Sequence, residues 1–348
     1  MSVALASPLK LGDLALKNRF VLSPLTRDRG VVPNELTAEY YGHPWARNGR
    51  NALGIFNEKQ VAGWKKVTDE VHAKGSVIFA QLWHIGRCAH PGLQAGQPIV
   101  GPSASGKFRQ LAGGPGYGTP KAIEDPQHYV DMFRVAAQIA KRAGFDGVKI
   151  QSAGGYLLDQ FIDTGSNKRT DKWGGSHENR ARFSLEMVKA AIGVFGDSSR
   201  IGIKLSPQGG VNDVGDQEEV AIPTYTYLIT ELEKLKIGYI LLRRWLAFHP
   251  PMVRGFPFDV VKYFRPMTKN AKLFVNGDLT GAEAAELVAS GQIDAAVFGR
   301  PFIANPDLPH HPLGSFLFRT SSVDQPEIQV VEFEEREDFH ELLMHSVS

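Results

Sequence analysis

Seven short apolar segments alternate with longer amphipathic segments along this chain of 348 residues. The apolar segments are 19–25, 77–83, 147–151, 201–207, 239–242, 272–277 and 295–300. Helical patterns lie between them at 34–47, 60–74, 127–143, 177–195, 223–236 and 281–290. This alternation is typical of βαβα units and a parallel sheet. Strands that are apolar almost throughout indicate burial on both faces, as in a closed barrel.

The sequence therefore predicts an α/β fold of the TIM (β/α)8 type. The carboxyl ends of the strands form the active face of such a barrel, so polar residues at those ends are the candidate ligand contacts. Those residues are Thr26, Gln81, Gln151, Lys204, Asn276 and Arg300. A doubly wound open sheet is the alternative, but no GxGxxG motif follows the first strand.

The strand count is seven, one short of the full barrel. Between the helical patterns at 34–47 and 60–74 the chain reads NGRNALGIFNEKQ, in the place where another strand is expected. Unpaired strand edges are costly when they are buried. Two interpretations stay open: either NALGIF supplies a short surrogate strand, or the barrel is incomplete because the gene product has decayed.

Bulk properties exclude several classes of protein. With 43% hydrophobic and 22% charged residues, the chain can bury a large core. A net charge of +2 provides no electrostatic footprint for nucleic acid. Cys88 is the only cysteine, which fits a reducing compartment, and neither a signal peptide nor an apolar window of membrane-spanning length is evident. We expect a cytoplasmic protein that binds neither nucleic acid nor membrane, of open oligomeric state.

The C-terminal segment differs in composition from the rest of the chain. Residues 324–341 hold eight acidic residues and one arginine. A charge run of this kind is usually solvated and poorly ordered. We therefore expect one barrel domain over residues 1–320, followed by an acidic tail over residues 321–348.

The most specific pattern is residues 144–183, GFDGVKIQSAGGYLLDQFIDTGSNKRTDKWGGSHENRARF, together with the motifs SPLTR, QLWHIGR, IGIKLSP, VNGDLTG and VFGRPF. In these residues the chain resembles the old yellow enzyme family of flavin-dependent ene-reductases, over about residues 8–309. The resemblance implies a flavin-binding barrel with FMN as cofactor, NADPH as reductant and a small enone or enal as substrate. FMN is favoured over FAD because no dinucleotide fingerprint is present.

The resemblance also implies which residues hold the cofactor. A hydroxyl at Thr26 and an amide at Gln81 suit the flavin ring, and a cation at Lys204 would stabilise negative charge on it. The phosphate would lie against the glycine turns after the last two strands, beside an arginine that can pair bidentately with it. The full set of expected cofactor-binding residues is Thr26, Gln81, Lys204, Asn276, Gly277, Gly299 and Arg300. The simpler interpretation is a strand-end cap and two ordinary βα turns.

The catalytic positions depart from the family pattern. Members of the family carry a histidine and, three residues later, an asparagine or second histidine, which hold the substrate carbonyl. Here those positions are Gln151 and Gly154, while the proton-donating tyrosine is kept as Tyr156. Gln151 can bind substrate through one donor, and Gly154 has no side chain. Losing one such donor typically costs about 10²–10³ in rate, so we expect impaired enoate chemistry. Packing of Tyr156 beneath the loop is the structural alternative.

The sequence predicts an FMN-dependent oxidoreductase that reduces a carbonyl-conjugated alkene in a small metabolite with NADPH. A redox-neutral flavoprotein isomerase or cyclase is one alternative. A catalytically silent relative that acts as a binding protein is another.

Overall fold

The structure is a computed structural model that describes residues 3–24, 58–94, 96–104, 118–246, 254–304 and 308–310. Four sequence expectations lie outside these ranges: Thr26, the helical pattern at 34–47, the NALGIF segment at 51–56 and the acidic segment 321–348. Among the described residues, no helix is long and apolar enough to cross a membrane.

Strands and helices alternate along most of the described chain. The strands are β1 (Leu9–Leu11), β2 (Leu14–Leu16), β3 (Phe20–Leu22), β4 (Phe79–Leu82), β5 (Val100–Gly101), β6 (Lys121–Ala122), β7 (Gly147–Ser152), β8 (Ile201–Leu205), β9 (Tyr239–Arg243), β10 (Lys272–Asn276) and β11 (Ala295–Phe298). The helices are α1 (Val3–Ala6), α2 (Glu58–Ala73), α3 (Pro126–Arg142), α4 (Leu157–Ile162), α5 (His177–Phe195), α6 (Glu218–Lys234), α7 (Val260–Phe264), α8 (Gly281–Ala289) and α9 (Arg300–Ala304).

Seven of these strands form one parallel sheet in the order β3-β11-β10-β9-β8-β7-β4. Each of the seven coincides with one of the apolar segments that the sequence predicted as strands. Over the residues that the structure describes, β3 and β4 are the two edges of the sheet. In the sequence, a clear eighth strand is missing between β3 and β4, the same two strands that form the edges of the sheet.

The sheet is strongly curled. Phe79 lies on the edge strand β4, and Tyr239 lies on β9, three strands away. Neighbouring strands are about 4.8 Å apart, so a flat sheet would separate these two residues by roughly 14 Å. Their ring centroids are only 5.7 Å apart. The sheet is therefore a half-barrel, which confirms the predicted barrel class and excludes the doubly wound alternative.

The two faces of the sheet have separate cores. Inside the half-barrel, Tyr239 stacks on Phe274 with 4.5 Å between ring centroids. The antiparallel hairpin β1–β2 contributes Leu9 and Leu11 to this inner core, near the amino ends of the strands. The helices pack on the outer face, where a larger apolar cluster includes residues of α3, α5 and α6. The amino end of the half-barrel is thus filled with apolar side chains, and the carboxyl end is left for polar ones.

Helix α5 illustrates how local sequence sets an element's limits. The predicted range 177–195 agrees with the observed helix His177–Phe195. Ser176 caps the helix, because its hydroxyl accepts a hydrogen bond from the backbone N–H of Asn179 at 3.3 Å. Gly196 ends it with φ of +78°, the left-handed conformation that glycine adopts without strain.

The inner aromatic layer requires glycine on the strands beside it. A Cβ atom at Gly202 would lie 2.2 Å from the ring of Tyr239. The substitution Gly202→Ala should therefore destabilise the fold by about 1–3 kcal/mol, the usual cost of overpacking a core. Urea unfolding measures this free energy.

Gly193 provides the matched control. It lies in α5, and a Cβ atom there meets nothing within 4 Å. Gly193→Ala should stabilise the protein by up to about 1 kcal/mol through helix propensity. Equal effects of the two substitutions would contradict this description of the inner core.

Candidate active site at the carboxyl ends of the strands

The polar candidate residues lie on the inner face of the curled sheet. Gly147 on β7 faces the interior, because a Cβ atom there would lie 2.3 Å from an aromatic ring of β4. Side chains alternate along a strand, so Lys149 and Gln151 face the same way. Strand register pairs Lys149 with Gln81 and Gln151 with Lys204. Four polar side chains from three neighbouring strands therefore share the interior.

Two further strands extend this polar layer. Leu241 on β9 and Phe274 on β10 belong to the inner core. Arg243 and Asn276, each two residues further along, face the same interior and are paired in register. The carboxyl half of the inner face thus presents three amides and three cations. We call these residues the strand-end cluster: Gln81, Lys149, Gln151, Lys204, Arg243 and Asn276.

The three cations of the strand-end cluster lie in a poorly solvated environment. Burial holds the pKa of Lys149 well below its usual value, and the nearby Lys204 lowers it further. Burial lowers the pKa of Lys204 to about 8, and Arg243 adds to that effect. Within the described ranges, neither lysine forms an ion pair with a carboxylate. Buried positive charge is costly without a partner, so a bound anion would stabilise this cluster.

The amide oxygens of the cluster also lack hydrogen-bond donors among the described residues. The oxygens Oε1 of Gln81, Oε1 of Gln151 and Oδ1 of Asn276 are buried, and none accepts a hydrogen bond from the part of the chain that is described. Gln151 donates from Nε2 to the carbonyl of Ala153 at 3.3 Å. Unsatisfied buried acceptors are uncommon in folded proteins and suit a ligand with N–H or O–H donors.

Tyr156 stands on the loop that follows β7. Gly154 and Gly155 adopt φ of +69° and +74°, and Tyr156 then caps α4 from an extended conformation. Its ring packs edge-to-face on Trp83, with 4.9 Å between centroids. The backbone N–H of Gly154 donates to Ser206 Oγ at 2.9 Å, so this N–H does not replace the side-chain donor that Gly154 lacks.

The expected phosphate site lies at the ends of β10 and β11. Gly277 has φ of +121°, and a Cβ atom there would lie 3.0 Å from Cβ of Arg244, so the close approach that requires glycine is to Arg244. Gly299 follows β11, and its carbonyl accepts from the N–H of Phe302 at 3.0 Å. The exposed guanidinium of Arg300 forms an ion pair with Asp278. The arginine expected to bind phosphate therefore already has an anionic neighbour.

The structure brings together most, but not all, of the expected residues. Gln81, Gln151, Lys204 and Asn276 share the strand-end cluster, and Tyr156 lies on the loop directly after β7. The expected phosphate residues lie after the last two strands: Gly277 follows β10, and Gly299 and Arg300 follow β11. Thr26 is outside the described residues.

Sequence reasoning missed Lys149 and Arg243. The period of two along β7 and β9 could have found both, because they alternate with residues of the outer core. The described ranges contain no group of three or more His, Cys, Asp or Glu residues that could hold a metal ion.

The lowered pKa of Lys204 predicts how stability depends on pH. The folded protein releases this proton near pH 8, but the unfolded chain keeps it until about 10.5. Between these values the unfolded state binds more protons, so stability should rise as pH increases. Lys204→Met should reduce that rise, measured as the free energy of urea unfolding without any ligand. Lys189→Met, at a side chain 51% exposed, is the control and should keep the rise. If all three proteins showed the same dependence of stability on pH, the lowered pKa would not belong to Lys204.

The chain is similar to known flavin oxidoreductases in its sequence and in its fold. The model of the NADH:flavin oxidoreductase / NADH oxidase family matches residues 43–311. A protein of Leishmania infantum named "Probable flavin mononucleotide-dependent alkene reductase" is 36% identical over 86% of this chain and 88% of its own. A protein of Claviceps purpurea named "Probable inactive dehydrogenase easA" is 34% identical over 88% of this chain and 87% of its own.

A solved structure shows the same fold. The old yellow enzyme homologue from Zymomonas mobilis superimposes with a TM-score of 0.78 at 33% identity, covering 88% of this chain and 91% of that one. The family model, the relatives and the shared barrel agree with the motifs around β7. The chain belongs to the old yellow enzyme family of FMN-dependent NAD(P)H oxidoreductases.

Proposed function

We propose that this protein binds FMN and uses NADPH to reduce an alkene conjugated to a carbonyl group in a small enone or enal. The observation that carries the proposal is the strand-end cluster, where cations and unsatisfied amide oxygens lie together near Tyr156. The pyrimidine edge of a flavin offers both N–H and C=O groups and gains negative charge on reduction. These complementary properties support the fit.

The contacts to FMN would come from successive strand ends. When bound, FMN supplies hydride transfer from the nicotinamide to the alkene. Gln81 and Asn276 would satisfy their buried amide oxygens against its ring, and Lys204 with Lys149 would stabilise negative charge there. Thr26 is a further proposed ring contact from the sequence.

At the other end of the cofactor, Arg300 with the turns at Gly277 and Gly299 would hold the phosphate. The ion pair of Arg300 with Asp278 would have to open, or share the guanidinium with the phosphate. We therefore propose a phosphate site that is weaker than its arginine alone would make it.

Tyr156 is the proposed proton donor to the alkene. A tyrosine hydroxyl can donate to the carbon opposite the incoming hydride. Gln151 Nε2 would donate to the carbonyl oxygen, at the expense of its long 3.3 Å bond to Ala153. Gly154 contributes no second donor, because its N–H is already bonded to Ser206. We therefore propose a reductase with slow turnover of simple enones.

The missing second donor also favours two other functions. A redox-neutral flavoprotein isomerase or cyclase would need less stabilisation of a carbonyl oxygen. A catalytically silent binding protein would need none, and one relative is named as inactive. Turnover of NADPH or NADH with a series of enones and enals separates the three functions. Net alkene reduction supports the reductase, and rearrangement of the substrate without NADPH consumption supports the isomerase or cyclase. No turnover of any substrate supports the silent binding protein.

The phosphate site can be tested by affinity alone. Arg300→Ala should weaken FMN binding about 10-fold, the lower limit of the range of about 1.5–3 kcal/mol that a hydrogen bond to a charged group is worth, because Asp278 already competes for the guanidinium. Asp278→Asn should strengthen it up to about 5-fold, because it removes an exposed competing ion pair. Quenching of flavin fluorescence during titration with protein measures both.

Riboflavin, which has no phosphate, is the control ligand. Its affinity should be the same in the parent protein and in both variants. If Arg300→Ala weakened riboflavin as much as FMN, Arg300 would be holding the fold or the ring and not the phosphate.

The substrate pocket can be tested by restoring the missing donors. The double change Gln151→His with Gly154→Asn should accelerate enone-dependent reoxidation of the flavin by about 10–100-fold, through a regained oxyanion donor. Position 154 has room for the change, because a Cβ atom there meets nothing nearer than 3.9 Å. Its φ of +69° is a conformation that asparagine tolerates. Stopped-flow absorbance separates this step from flavin reduction by NADPH, which should change little.

Gln151→His with Gly154→Ala is the matched control. It places a Cβ atom at position 154, where alanine tolerates the φ of +69° less well than asparagine does, but it adds no donor there. It should not reach the rate of the Asn variant. Equal rates in the two double variants would show that the second donor is not what limits this protein.

A further inference from the structure

Both glycines before Tyr156 have their backbone N–H and C=O groups hydrogen-bonded. The N–H of Gly154 donates to Ser206 Oγ at 2.9 Å, and its carbonyl accepts from Asn212 Nδ2 at 2.7 Å. The N–H of Gly155 donates to Asp159 Oδ2 at 2.8 Å, and its carbonyl accepts from Gln160 Nε2 at 2.7 Å. This two-glycine loop is therefore held in one conformation by specific contacts and not by packing alone.

The N–H groups of both glycines are connected by hydrogen bonds to the same carboxylate, one directly and one through Ser206. Asp159 is 2% exposed, on the first turn of α4. Its Oδ2 accepts directly from Gly155, and also from Ser206 Oγ at 2.8 Å, which itself accepts from Gly154. Its Oδ1 accepts from the hydroxyl of Tyr225 at 2.9 Å. One buried side chain thus determines where two consecutive left-handed residues lie.

The loop in turn determines where Tyr156 lies. Gly155 packs closely against the neighbouring loop, because a Cβ atom there would lie 2.5 Å from Asn212 and 2.8 Å from the carbonyl of Val211. The next residue is Tyr156, whose own carbonyl accepts from the N–H of Gln160 at 2.8 Å. A shift of about 1 Å in a reacting group can cost about 10²-fold in rate.

We propose that Asp159 is a positioning residue for Tyr156: by accepting from Gly155 directly and from Gly154 through Ser206, it aims the phenol at the substrate. The catalytic meaning of this position rests on the proposed function, but the positioning itself does not. Asp159 itself would touch neither cofactor nor substrate.

The network should keep its shape in either protonation state of Asp159. Burial raises the pKa of this carboxyl group to about 6, against hydrogen bonds from Gly155, Ser206 and Tyr225 that lower it, and Asp163 raises it further. Arg243 is the cation that faces it from β9.

A proton on Oδ1 would point at Tyr225, whose hydroxyl can turn to the carbonyl of Ser206, now 3.4 Å away. Oδ2 would still accept from Gly155 and from Ser206. An asparagine with its NH2 group in place of Oδ1 reproduces this arrangement, so Asp159→Asn should preserve the loop and Asp159→Ala should not.

The first measurement needs no activity. The protein is reconstituted with FMN and carries 3-fluorotyrosine at position 156, and its 19F NMR signal reports the surroundings of that ring. We expect one sharp signal in the parent and in Asp159→Asn, and a shifted or broadened one in Asp159→Ala. Ser206→Ala, which breaks only the Gly154 branch, should change the signal in the same direction and serves if Asp159→Ala does not fold.

Tyr225→Phe is the matched control. It removes the third donor to Asp159 but leaves both branches to the loop, so the 19F signal should stay as in the parent. An unchanged signal in both Asp159→Ala and Ser206→Ala, or an equal change in Tyr225→Phe, would overturn the proposal.

The second measurement is a double-mutant cycle on the rate of enone-dependent flavin reoxidation. Tyr156→Phe should slow this step by about 10²–10⁴, the usual contribution of a general acid. Asp159→Ala should slow this step by about 10-fold or more in the parent protein. In the Tyr156→Phe background it should slow the step by less than about 2-fold, because the side chain that Asp159 positions no longer has a hydroxyl to donate from. Flavin reduction by NADPH and the FMN affinity should be unchanged.

The outcomes separate the two claims. A full effect of Asp159→Ala in the Tyr156→Phe background would overturn the positioning role, even if the reductase function holds. If Tyr156→Phe leaves reoxidation unchanged while the 19F signal responds to Asp159→Ala, the positioning stands and the proton-donor assignment falls.

Discussion

Positive charge buried among parallel strands is the constraint on which the rest of the site depends. Lys149 and Lys204 face the interior of the half-barrel, and burial lowers the pKa of each. A group that carries negative charge offsets the cost of keeping them protonated. The apolar layer of Tyr239 and Phe274 fills the amino end of the interior, so in the part of the chain that the structure describes the lysines lie toward the carboxyl ends of the strands. Fold and charge together therefore select one face.

The two ends of the proposed cofactor site differ in character. The ring end offers buried cations and unsatisfied amides, which suit a flavin closely. The phosphate end is more exposed and holds Asp278 against Arg300. Family membership explains the parts that agree, and the chain's own residues explain the departures: Gly154 has no side-chain donor, and Asp278 would weaken the proposed phosphate site. The proposed function therefore predicts that changes at the phosphate end alter cofactor affinity and that changes at position 154 alter the rate of alkene reduction.

Much of the fold could be predicted from the sequence, because it depends on local patterns. The seven apolar runs became the seven strands, and Ser176 and Gly196 delimit α5 through their own backbone preferences. The site was predicted less completely. The link from Asp159 to Gly154 spans β7, α4 and the end of β8, and the Arg300–Asp278 pair joins two successive strand ends. Contacts of this kind follow from the tertiary arrangement, and no local pattern encodes them.

The strand-end cluster is proposed as a flavin site. The visible absorption spectrum of the folded protein, after incubation with FMN and removal of free flavin by gel filtration, tests it most directly. We expect a yellow protein with about one FMN per chain, and a flavin spectrum displaced from that of free FMN. A folded protein that emerges colourless from excess FMN would contradict it.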